Sequence, residues 1–69
     1  MEEERWGRRI RAFRKLKGYT QEGLAKELLV SVSLLGEIER GNRVPTEQFL
    51  LEVSAVLGIS IEELRPPQE

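Results

Sequence analysis

The chain has 69 residues, room for one small domain with a modest core, since a fold of this size buries only ~60% of its unfolded surface. It holds no cysteine, histidine or aspartate and no phosphate loop, which excludes disulfides and thiolate metal sites and leaves an enzyme without its usual parts. A net charge of −1 argues weakly against nucleic acid, but seven of the eleven basic residues fall in residues 5–17, RWGRRIRAFRKLK, without one acid, whereas residues 44–69 carry five acids against Arg65 alone.

The first predicted helix covers residues 3–17. Trp6, Ile10 and Phe13 recur at helical spacing and form its buried stripe, so Trp6 belongs to the core rather than to a stacking platform. Glu2, Glu3 and Glu4 at its start and Lys15 and Lys17 at its end suit the helix dipole, and Gly18 is a natural stop. Arg5, Arg8, Arg9 and Arg11 either line a phosphate path or form a solvated face, some of them paired with Glu2, Glu3 or Glu4. The solvated reading is the stronger for Arg5 and Arg8.

A second helix runs over residues 21–28 with Thr20 as N-cap and Leu24, Ala25 and Leu28 inward. A third covers residues 32–40, capped by Ser31 and stopped by Gly41, with Leu34, Leu35 and Ile38 as its apolar face. Steps of ~100° per residue place Ser33, Gly36, Glu37 and Arg40 together opposite Leu35 and Ile38, with Val32 at their flank. The joint between these helices is only Leu29, Val30 and Ser31, a helix-turn-helix signal.

The fourth helix, residues 47–57, follows Pro45 and the cap Thr46, buries Leu50, Val53, Ser54 and Leu57, and ends at Gly58. A last turn over residues 61–64 opens with a capping box, Ser60 to Glu63. Phe49, Val56 and Ile61 exceed what these two elements need inside, which suggests a second apolar surface and a two-fold interface. The expected fold is all-α, five short helices in a single domain over residues 1–69, with a core at 6–64 and a frayed tail at 65–69. No run approaches ~18 apolar residues and no apolar core follows a basic start, so a cytoplasmic protein without membrane contact is expected.

The stretches TQEGLAKELLVSVSLLGEIERGNRVP and VLGISIEEL resemble the XRE/Cro type of phage-repressor-like DNA-binding domain. Thr20-Gln21, Leu24-Ala25, Val30-Ser31, Ile38-Glu39-Arg40-Gly41, Pro45 and Leu57-Gly58-Ile59-Ser60 all stand in register. The resemblance implies a compact repressor-like fold and a stand-alone regulator, a homodimer on double-stranded DNA with no cofactor, repressing by resemblance alone. It implies that the third helix enters the major groove with Val32, Ser33 and Glu37 toward base edges. It also implies that Gln21 meets a phosphate at its helix start, that Asn42 and Arg43 hold the backbone, with Arg40 beside them, and that Arg14 and Glu39 form an interior ion pair.

Several residues depart from that pattern. Leu29 stands where the family usually has a turn glycine, so either the second helix ends differently or Leu29 takes a left-handed conformation at ~1 kcal/mol. Gly23 removes a capping-box partner for Thr20. Gly36 either lets the backbone approach DNA closely or marks an unused face. Val32 either touches a thymine methyl or is a partly covered apolar residue. Ser33 donates to or accepts from any base and reads sequence weakly. Glu37 either accepts from a cytosine amino group, repels phosphate, or pairs with Arg40 or Ser33. The rival reading is a protein-interaction module on the same scaffold, favoured by Glu37, the net charge and the acidic last third. Only a DNA binder loses affinity steeply with salt.

Overall fold

The computed structural model describes residues 2–67, with side chains from Arg5 onward. The expected roles of the Glu2, Glu3 and Glu4 side chains, and the end of the tail at Gln68 and Glu69, lie outside the described residues. Five helices follow one another: α1 (Glu2–Leu16), α2 (Gln21–Leu28), α3 (Val32–Glu39), α4 (Glu47–Leu57) and α5 (Ile61–Leu64). Among the described residues there is no strand, and no helix is long and apolar enough to cross a membrane. Residue 40 falls outside α3 as its C-cap, within the spread expected at a frayed helix end.

The helices start and stop by local chemistry. Thr20, Ser31, Thr46 and Ser60 have extended backbones, and each side chain accepts from an N–H three residues on. Ser60 and Glu63 complete a capping box. The first four helices close alike, with a left-handed residue whose N–H donates to the third carbonyl before it while the next N–H reaches back five. Glycine supplies that conformation at Gly18, Gly41 and Gly58, and Leu29 supplies it after α2 at φ 60° and ψ 39°. A leucine there is strained, and at 91% exposure it recovers nothing by burial.

Each helix sends one side chain to the centre of the core: Ile10, Leu24, Leu35, Val53 and Leu64 are wholly or almost wholly buried. Trp6 and Phe13 are half-buried against that cluster. The crossing of α1 over α3 is tight at Gly7, where a Cβ would stand 2.1 Å from the Ile38 carbonyl oxygen and 2.9 Å from that of Glu39. No such approach is open to a residue with a side chain.

Two expectations are corrected here. Phe49 is not on a second apolar surface; it is 8% exposed and belongs to the core. Val56 and Ile61 pack against the same cluster and are half-buried, so part of each side chain stays at the surface. Residues 65–67 are not frayed either. Pro66 is buried, the Pro67 carbonyl accepts from Arg5 Nη1 at 3.1 Å, and the Arg65 guanidinium lies 5.9 Å from the Trp6 ring centroid.

Candidate nucleic-acid interface

The short joint and the caps at Thr20 and Ser31 set α2 and α3 against one another, and α3 packs on α1 as well. On the outer side of α3, Val32, Ser33 and Arg40 are exposed and Glu37 is half-buried. Gly36 is buried, although the helical wheel groups it with these residues. Two side chains cover it: a Cβ at Gly36 would come within 3.0 Å of Arg40 Nη1 and 3.6 Å of Gln21 Nε2. Gly36 therefore makes room for Gln21 and Arg40 to close over α3, a role that neither reading of its sequence position contained.

Beneath that crossing lies an ion pair. Arg14 Nε donates to Glu39 Oε2 at 2.7 Å and Arg14 Nη2 to Glu39 Oε1 at 3.1 Å, with both residues buried. Arg14 Nη1 also donates to the Tyr19 carbonyl at 3.0 Å, which ties the α1–α2 turn to α3. Two parallel bonds and a further carbonyl satisfy a guanidinium that burial alone would penalise. Gln21 Nε2 donates to Glu39 Oε1 at 3.1 Å, so the pair also orients the side chain that opens α2.

Around this network runs an open cleft lined by Arg8, Arg11, Arg14, Gln21, Glu39, Arg40 and Asn42. Among the described residues, four guanidinium groups and one carboxylate line it, and that carboxylate is held by Arg14. Arg8 and Arg11, one turn apart on α1, are both exposed and both line this cleft. Arg5 and Arg9 turn elsewhere: Arg9 donates through Nη2 to the Glu63 carbonyl and lies 5.2 Å from the Phe13 ring centroid. The spacing of these arginines separates two rows on the helix surface, but which row meets the cleft depends on where α3 and α5 pack.

Asn42 and Arg43 follow α3 in a tight reversal in which the Asn42 N–H donates to the Glu37 carbonyl at 2.9 Å. The partner of Glu37 is neither Arg40 nor Ser33. Arg43 Nε donates to Glu37 Oε1 at 3.0 Å, joining an expected base-reading residue to an expected phosphate contact. Gly7 was missed in the sequence because helical periodicity assigns no partner to a glycine. Among the described residues no group of three or more His, Cys, Asp or Glu is placed to hold a metal ion.

The helix-turn-helix family model HTH_3 matches residues 10–64. The uncharacterized HTH-type transcriptional regulator YazB of Bacillus subtilis is 65% identical over 69 residues, covering the whole of both chains. The clp gene regulator ClgR of Corynebacterium glutamicum superposes with a TM-score of 0.90 at 34% identity, over 93% of this chain and 68% of that one. A structure of SinR, a master regulator for biofilm formation, in complex with DNA superposes with a TM-score of 0.79 at 45% identity, over 86% of this chain and 95% of that one.

Proposed function

The chain belongs to the helix-turn-helix family HTH_3, and on that premise we propose that it is a transcriptional regulator that binds double-stranded DNA through α3. In this reading α3 enters the major groove with Val32, Ser33 and Glu37 toward base edges, while α2 crosses the backbone. Gln21, Arg40 and Asn42 grip phosphates together with Arg8 and Arg11, and Arg43 contributes from the loop. The carrying observation is the cleft, in which the side chain at the head of α2 and one at the end of α3 cross over Gly36 beside two arginines of α1.

Repression, a homodimer and a palindromic operator, its half-sites about one turn or ~34 Å apart, belong to the same proposal. With Phe49 in the core, the dimer rests on Val56 and Ile61, each half-buried at the C-terminal end of the fold. Glu37 and the net charge of −1 favour one other reading, a protein-interaction module on this scaffold.

Selection of bound DNA from a random pool at low salt, followed by a salt titration on the winner, tests the reading. Enrichment of a palindrome and a steep loss of affinity with salt are expected. Absence of binding at low salt removes the DNA reading and leaves the protein partner. Sedimentation at micromolar concentration tests the dimer separately, and a monomer there removes the two-fold operator.

A further inference from the structure

Glu37 and Arg43 are brought together by the backbone itself. The cap of α3 is the cause: Gly41, at φ 83°, reverses the chain, its N–H donates to the Ile38 carbonyl at 3.1 Å, and the next N–H, of Asn42, reaches the Glu37 carbonyl at 2.9 Å. Residue 43 therefore returns beside the outer side of α3, where Arg43 Nε meets Glu37 Oε1 at 3.0 Å. Both side chains stay about half exposed, at 58% and 42%, so the pair adds little to stability. What it changes is how a carboxylate stands toward DNA.

A lone glutamate on a base-reading face has two equal oxygens, free torsions and a full charge set against phosphates. The contact with Arg43 alters all three. One oxygen is engaged, the torsions are held, and the neighbouring guanidinium offsets the charge. The carboxylate keeps acceptor capacity on Oε2, and a guanidinium with five donors keeps N–H groups for another anion.

We propose that Arg43 is the positioning residue for Glu37, and that the two read one base pair as a unit. Glu37 Oε2 accepts from the exocyclic amino group of a cytosine in the major groove, while the remaining N–H groups of Arg43 meet a backbone phosphate. A base presenting only acceptors there faces an anion with nothing to donate and is rejected. This assignment rests on α3 lying in the major groove, as proposed above. It differs from a plain division of labour, in which Glu37 specifies and Arg43 only grips.

The test is a double-mutant cycle on the selected site. Wild type, E37Q, R43A and E37Q/R43A are each measured at fixed low salt against that site and against its single-base variants, with thermal melts confirming that each variant folds. R43A is expected to lower the preference at one base pair about ten-fold when Glu37 is present, and to leave preference unchanged in the E37Q background. R43K should restore general affinity without restoring that preference, because an ammonium grips a phosphate but lacks the planar fork. Equal loss on every sequence in both backgrounds overturns the coupling and leaves Arg43 as a phosphate contact. A wild-type chain that enriches no sequence overturns the functional reading and the coupling with it, whereas an enriched site with an additive cycle overturns the coupling alone.

Discussion

Two rows of arginine on one helix serve different ends. Arg5 and Arg9 turn toward the C-terminal segment, where they donate to the Pro67 and Glu63 carbonyls, and the Arg65 guanidinium answers from the other side over Trp6. Arg8 and Arg11 turn the other way, into the cleft with Gln21, Arg40 and Asn42. The residue type and the helix are the same, and the local charge density is shared. The neighbours differ: Arg5 and Arg9 meet backbone carbonyls of α5 and of the segment after it, whereas Arg8 and Arg11 stand beside Gln21, Arg40 and Asn42. A basic segment is thus no measure of a nucleic-acid surface until the packing has divided it.

The comparison has a structural boundary at Arg14, which lines the cleft yet is spent on Glu39. Arg14→Ala should cost ~3–5 kcal/mol by urea unfolding, because it strands a buried carboxylate. A loss below ~1 kcal/mol would place Arg14 with the exposed cleft arginines instead. Gly7→Ala comes next, at ~1–3 kcal/mol, since the new Cβ would collide with the Ile38 carbonyl and force α1 off α3. Displacing α1 should also lower DNA affinity, because Arg8 and Arg11 move with it.

The sharpest contrast pairs the two rows directly. Arg9→Ala should destabilise by ~1 kcal/mol through the lost carbonyl bond and ring contact and leave the salt slope of DNA binding unchanged. Arg11→Ala should stay within ~0.5 kcal/mol in stability and flatten that slope by roughly one. Equal salt slopes for the two variants would erase the distinction between the rows. Leu29→Gly, in neither row, should give a small gain of ~0.5 kcal/mol as relief of left-handed strain outweighs the added chain entropy of glycine. It removes no charge, so its salt slope should match that of the parent.

Much of the fold was legible in the sequence because its causes are local. The caps at Thr20, Ser31, Thr46 and Ser60 each need one hydroxyl and an N–H three residues away. The stripes through Leu24, Leu28, Leu35, Ile38, Val53 and Leu57 need only the helical repeat, and a left-handed Leu29 follows as one of two outcomes once the joint lacks glycine. The exposed side of α3 was readable on the same grounds, except at Gly36, where the wheel shows a direction but not what lies over it.

Tertiary structure alone decided that Phe49 faces inward, that residues 65–67 dock on α1, that Gln21 and Arg40 close over Gly36, and that Glu37 pairs with Arg43. Gly7 shows the reason most plainly. Its meaning is a carbonyl oxygen 31 positions further along the chain, held 2.1 Å from where a Cβ would be. Periodicity reports the direction a residue faces on its own helix. Which atom occupies that direction is set by how the helices cross, and that depends on the volumes of every side chain in the shared core at once.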